Sequence, residues 1–200
     1  MRRLTASHNE LLSLPSSIGD LPLLVSLDVS HNRIATLPSS IGGLKKVGYI
    51  DASDNHLEDL PNSIGDLRTL QTLKVPRNRL RALPSSIGRL LKVHSLDVSE
   101  NQLTDLPVSI NTMSSLRALN ASFNRLGQLP DAVAELPVLC NVDASSNVLT
   151  ALPVSWANKS SCDGLTVYVA CLVRCASLHP TAMPAAVAGE SRTIASQGFR

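Results

Sequence analysis

Residues 67–89 read LRTLQTLKVPRNRLRALPSSIGR. The leucines at 67, 70 and 73, Val75, Asn78, Leu80, Leu83, Pro84 and Ile87 stand where equivalent residues stand 23 positions earlier and 23 positions later. The asparagines at 9, 32, 55, 78, 101, 124 and 147 mark that step through most of the chain without a slip. Self-similarity at a fixed period of this length is the mark of a solenoid, in which each turn is one structural unit stacked on the next.

Leu73 and Val75 alternate with polar neighbours, as do Leu27 and Val29, Ile50 and Ala52, Leu96 and Val98, Leu119 and Ala121, and Val142 and Ala144. A period of two predicts a short half-buried strand in every turn, and successive strands then pair in parallel about 4.8 Å apart. The chain leaves the strand sharply at the asparagine, where backbone N–H and C=O groups are left facing inward. An amide side chain offers them both an acceptor and a donor, so Asn9, Asn32, Asn55, Asn78, Asn101, Asn124 and Asn147 are expected to form a structural ladder. Proline at 15, 38, 61, 84, 107, 130 and 153 fixes φ where no strand hydrogen bond is required. The Ser-Ile-Gly that mostly follows predicts a tight helical or 3-10 turn, with Ile87 and its equivalents pinning it inward. The expected fold is an α/β solenoid: a curved right-handed coil with a parallel sheet on its concave face and short helical turns on its convex side.

The 200 residues read as one elongated domain with an aliphatic core, since aromatics make up only 2%. Residues 1–158 hold seven turns. Carrying the 23-residue frame onward places Cys162, Leu165, Val167, Leu172 and Cys175 at core positions, so residues 159–178 read as a degenerate eighth turn that caps the open end of the core. Residues 179–200, rich in small and polar residues, are expected to be disordered. At the other end the first turn starts at Met1 with no capping segment, which reads as a fragment, a truncated product or a piece capped by another chain. The opening residues lack the apolar core of a secretory signal. The four cysteines, Cys140, Cys162, Cys171 and Cys175, lack the tight pairing of extracellular caps. Both observations predict a cytoplasmic chain. No metal or cofactor is expected, and Leu165 to Val173 is too short an apolar stretch to cross a bilayer.

A curved parallel sheet leaves one face open, so contact residues are expected at the non-leucine strand positions, the columns of Thr72, Lys74, Pro76, Arg77 and Arg79. The rung that holds them is basic between acidic neighbours. One reading is internal salt-bridge ladders, Asp51–Lys74–Asp97 and Asp54–Arg77–Glu100, each exposed pair contributing about 0–1 kcal/mol. The other is a docking patch in which Lys74, Arg77 and Arg79 meet an acidic partner. Phe123 and Tyr49 are the aromatics of these columns, and exposed aromatics are frequent hot spots. The candidate partner-binding residues are therefore Tyr49, Lys74, Arg77, Arg79, Phe123 and Arg125. His8, His31 and Asp54 share one column beside a column of serines, yet repetition alone produces that proximity without an oriented base. No phosphate loop or zinc spacing appears, and no catalytic residue is assigned. A net charge of +2 with alternating signs disfavours nucleic acid, which needs a basic track.

The recurring Leu-Pro-x-Ser-Ile-Gly-x-Leu together with Leu-Asp-Val-Ser-x-Asn, at residues 27–32 and 96–101, resembles the intracellular Ras-group leucine-rich repeat proteins. That group includes the Ras-suppressor type, the scribble-like scaffolds and the plant intracellular Ras-group-related proteins. The resemblance spans residues 4–157. It implies a non-catalytic scaffold for protein–protein interaction in intracellular signalling, with a Ras-like GTPase or a phosphatase subunit as the kind of partner. The group shares no partner-contact motif, so no functional residue carries over. The alternative is the regulatory or substrate-recruiting portion of a larger signalling enzyme.

Overall fold

The computed structural model describes residues 1–153, Trp156 and the backbone of Thr166–Tyr168. The strands β1 (Arg3–Thr5), β2 (Ser26–Asp28), β3 (Tyr49–Asp51), β4 (Thr72–Lys74), β5 (Ser95–Asp97), β6 (Ala118–Asn120), β7 (Asn141–Asp143) and β8 (Thr166–Tyr168) form one parallel sheet in chain order. From β1 to β7 every pairing joins residues 23 apart, so that Ile50 stands beside Leu27 on one side and Leu73 on the other. The centre of each strand points into the core: Leu27, Ile50, Leu73, Leu96, Leu119 and Val142 are buried and stack rung on rung. Because backbone pairing and side-chain stacking share one period, burial and hydrogen bonding fix the same register.

Behind the sheet each turn returns through a 3-10 segment: Ser16–Asp20, Ser39–Gly43, Asn62–Asp66, Ser85–Arg89 and Val108–Thr112. The prolines before them hold φ near −65° and an extended ψ, and each carbonyl accepts the amide of the isoleucine three residues on, as Pro84 does from Ile87 at 2.9 Å. These isoleucines are buried. The sixth turn reads Asp-Ala-Val-Ala instead of Ser-Ser-Ile-Gly and closes as one turn of α-helix, α1 (Asp131–Ala134), in keeping with the higher helix propensity of alanine.

Glycine in the 3-10 segments permits close stacking of successive turns. A Cβ on Gly65 would collide with the Ser86 carbonyl oxygen, and one on Gly88 with that of Ser109.

Two sequence expectations change. The strands are only three residues long, so of the five columns read as strand positions only those of Thr72 and Lys74 belong to the sheet; Pro76, Arg77 and Arg79 follow it. The cause is the asparagine ladder. Asn78 Nδ2 donates to the carbonyls of Val75 and Pro76 at 3.1 Å, folding the chain off the sheet at once. The residue before each asparagine is thereby forced left-handed: His8, His31, Asp54, Arg77, Glu100, Phe123 and Ser146 all have φ between 51° and 56°. The second change is at β8, where Val142 pairs with Val167 and not with Leu165. That is a step of two beyond the 23-residue frame, one full period of a strand. The remainder of the expected cap at 159–178, with Cys162, Leu165, Leu172 and Cys175, and the segment 179–200 lie outside the described residues.

Candidate partner-binding face

The asparagines are spent on structure. Asn101 Nδ2 donates to the carbonyls of Val75, Val98 and Ser99 at 3.0, 3.1 and 2.9 Å, and its Oδ1 accepts the Leu80 amide at 2.9 Å. The same set recurs at Asn32, Asn55, Asn78, Asn124 and Asn147. Asn9 is exposed and reaches only the local carbonyls of Ala6 and Ser7.

The last strand residue of most rungs is also committed internally. Asp28, Asp97 and Asp143 each accept both the amide and the hydroxyl of the serine two residues on, and Asn120 does the same for Ser122. Asp51 likewise holds the amide and hydroxyl of Ser53. This side-chain turn ties the serine hydroxyls to carboxylates, so Ser30 and Ser53 do not turn them toward the neighbouring histidines. The fourth rung breaks the motif at both ends: Lys74 replaces the acceptor, and Pro76 has neither an N–H nor a hydroxyl to offer. The loss of acceptor and donors together leaves no buried group orphaned and frees Lys74 to lie over the sheet.

There Lys74 meets an aromatic ring and not a carboxylate. Its Nζ lies 5.9 Å from the Tyr49 ring centroid, within cation–π range. The expected Asp51–Lys74–Asp97 ladder is not formed: among the described residues no ion pair joins Lys74 to either carboxylate, and both accept from their serines. Tyr49 Oη donates to Asp51 Oδ2 at 2.8 Å. Burial, that hydrogen bond and the charges of Asp51 and Asp28 push the Tyr49 phenol up to about 12.

The Arg77 ladder does form. Arg77 Nε lies 3.0 Å from Glu100 Oε1 and Nη1 lies 3.4 Å from Asp54 Oδ2, and these carboxylates, Glu100 first, raise the guanidinium above its ordinary value. The line extends backward: His31 Nδ1 is 3.1 Å from Asp54 Oδ2, and His8 stacks on His31 at 4.1 Å. Arg77 is therefore paired on both sides within the chain. In the next column Arg33 pairs with Glu10 at 3.0 Å, while Arg79 and Arg125 have no ion-pair partner among the described residues. Phe123 is 59% exposed.

The structure thus divides the six candidates. Tyr49 and Lys74 stand on the concave sheet; Arg77, Phe123, Arg79 and Arg125 stand on the ridge of turns beside it. The sheet itself carries two hollows. One, of about 680 Å³, is lined by Arg3, Ser26, Asp28, Lys46, Gly48 and Tyr49 among others. The other, of about 230 Å³, lies between Lys74, Asp97, Asn120 and Asp143. Sequence reasoning missed the first, whose floor exists because Gly48 contributes no side chain between Val25 and Gln71. A Cβ there would meet nothing closer than 3.8 Å. Among the described residues no group of three or more His, Cys, Asp or Glu is placed to hold a metal ion. No described helix is long and apolar enough to cross a membrane.

A model of the leucine-rich repeat region matches residues 44–179, and a single leucine-rich repeat model matches residues 23–44. No curated protein matches the chain. Among solved structures it is similar to a leucine-rich repeat protein of Leptospira interrogans, at 29% identity and a TM-score of 0.71 over 74% of this chain and 38% of that one. It also resembles the ectodomain of the Arabidopsis thaliana receptor kinase GASSHO1/SCHENGEN3, solved in complex with CASPARIAN STRIP INTEGRITY FACTOR 2, at 34% identity and a TM-score of 0.67 over 76% of this chain and 19% of that one. A plant peptide hormone receptor, RGFR1 in complex with RGF2, matches at 25% identity and a TM-score of 0.67 over 78% and 27%. The chain spans well under half the length of each of these proteins.

Proposed function

This chain belongs to the leucine-rich repeat family, and from that premise we propose that it is a non-catalytic module that binds a protein or peptide partner on its concave sheet. One observation carries this reading. The fourth rung abandons the Asp-x-Ser brace that its neighbours use, which leaves Lys74 on the open face, over the Tyr49 ring of the third rung and between two hollows. The receptor structures that resemble this chain were solved with their ligands bound, which favours a protein or peptide occupant. The Leu-Pro-x-Ser-Ile-Gly form of the repeat supports a finer reading: an intracellular Ras-group scaffold in signalling, cytoplasmic, whose partner is a Ras-like GTPase or a phosphatase subunit. A second reading, in which the array is the regulatory or substrate-recruiting portion of a larger signalling enzyme, draws on the receptor kinase whose ectodomain this chain resembles.

Pull-down from lysates loaded with GTP or GDP, followed by affinity measurement on the recovered protein, tests the site. Lys74→Glu reverses the cation on the sheet, and Gly48→Trp fills the larger hollow at a position where a Cβ meets only ordinary contacts. Each is expected to weaken binding about tenfold or more, whereas Val108→Asp, on the convex side, leaves it unchanged. Equal affinity for all three variants would remove the concave face as the site.

A further inference from the structure

The turn after each strand imposes a left-handed residue, and at one rung that residue is an exposed aromatic. Left-handed backbone is tolerated best by Gly, Asn, Asp and, to a lesser degree, His, and it is a genuine outlier for a bulky side chain. Asp54, His8 and His31 fit that preference. Phe123, at φ 52°, does not, and neither do Arg77, Glu100 and Ser146; of the seven it is Phe123 that leaves a large apolar side chain in water, at 59% exposure. It bears two separate costs, a strained backbone and an apolar surface in water, and its ring is not covered in return.

The neighbouring column supplies charge. Along it stand Glu10, Arg33, His56, Arg79, Gln102, Arg125 and Val148. Arg33 is neutralised by Glu10. Arg79 and Arg125 are flanked only by His56, Gln102 and Val148, and no carboxylate among the described residues pairs with either. Glu100, the nearest acid in the Phe123 column, already holds Arg77. Val148, 53% exposed, continues the apolar surface one rung beyond Arg125. The ridge thus presents two unspent guanidinium groups two rungs apart, about 9.6 Å, beside an exposed ring.

We propose that this ridge is a second docking surface, for an extended acidic segment of a protein partner, with Phe123 as its apolar anchor and Arg79 and Arg125 as its carboxylate-binding groups. The inference rests on the chain being a protein-binding module but not on its concave face. Charge and rung spacing together suit such a segment. Carboxylates three residues apart in a polyproline-II segment lie on one side and about 9.3 Å apart, which matches the two arginines. In a β-strand, residues two apart lie only about 6.6 Å apart.

The test uses the full chain and synthetic proline-rich peptides carrying two glutamates that bracket a leucine, spaced two, three or four residues apart, with a lysine-for-glutamate peptide as control. Fluorescence anisotropy should give tightest binding at a spacing of three, falling as salt rises. Arg79→Glu and Arg125→Glu should each weaken it by about tenfold or more. Phe123→Gly removes the ring while easing the left-handed backbone, so it should bind several-fold more weakly without loss of fold. Lys74→Glu, on the concave sheet, should change nothing. The proposal is overturned if none of the peptides binds, if affinity ignores spacing or survives both arginine reversals, if Phe123→Gly binds as well as the parent, or if Lys74→Glu abolishes binding. The last result would move the peptide to the concave face; the arginine and phenylalanine variants leave the concave hollows unaltered and do not bear on whether those hollows hold a partner of their own.

Discussion

Tyr49 shows how one side chain can carry both structure and recognition. Its hydroxyl donates to Asp51 and its ring faces Lys74, so ionising it would set a phenolate against the carboxylate that now accepts its proton. Burial first, and then Asp51 and Asp28, raise the phenol from 10.0 to about 12 in the fold. A folded value above the unfolded one means that the protonated form is favoured by folding. The stabilisation is therefore complete below pH 10 and is lost as pH rises through about 12. The stability of the parent to urea, followed from neutral pH to pH 12, should fall more steeply above pH 10 than that of Tyr49→Phe. Ultraviolet titration of the phenolate should place the step that Tyr49→Phe removes near pH 12; a step near 10 would show that neither burial nor Asp51 holds the hydroxyl protonated.

At the level of the element, the 3-10 turns are shaped by contacts between rungs and not only by local preference. Gly65 sits where a Cβ would collide with the Ser86 carbonyl oxygen, whereas Gly127 has nothing within 4 Å. Gly65→Ala should destabilise the protein by about 1–3 kcal/mol through overpacking against backbone that cannot yield. Gly127→Ala should be close to neutral, since no contact opposes it and the unfolded chain loses freedom. Equal midpoints of chemical denaturation for the two variants would contradict the close stacking of turns. The strands were legible from Leu73 and Val75, and the 3-10 turns from proline and Ser-Ile-Gly. The left-handed column was not legible. His, Asp, Arg, Glu, Phe and Ser occupy it, and their shared conformation is imposed by the asparagine beside them, not by their own preference.

At the scale of the whole molecule, each rung is bound only to the rungs beside it, so the worth of a residue depends on how many neighbours its rung has. Asn101 ties its own turn, at Val98, to the turn before it, at Val75 and Leu80. Asn9 stands in the first rung and holds only its own turn. Asn101→Ala should cost about 3 kcal/mol, as several buried backbone groups lose their partners, while Asn9→Ala should cost under about 1 kcal/mol. Denaturant unfolding of the two variants measures the difference, and similar losses would show that the ladder does not act between turns.

The repeat itself determined the solenoid, because a 23-residue period gives backbone pairing and leucine burial a single common solution, and each of Leu73, Asn78, Pro84 and Ile87 has one physical use within it. The allotment of the charged columns was decided only by the tertiary structure. Lys74 and Arg77 belong to one basic rung, yet Arg77 is consumed by Asp54 and Glu100 while Lys74 lies over Tyr49. The reason is that pairing between rungs depends on which acids are already bound to their own serines and on where each turn leaves the sheet. Those relations exist only once residues 23 positions apart have become neighbours.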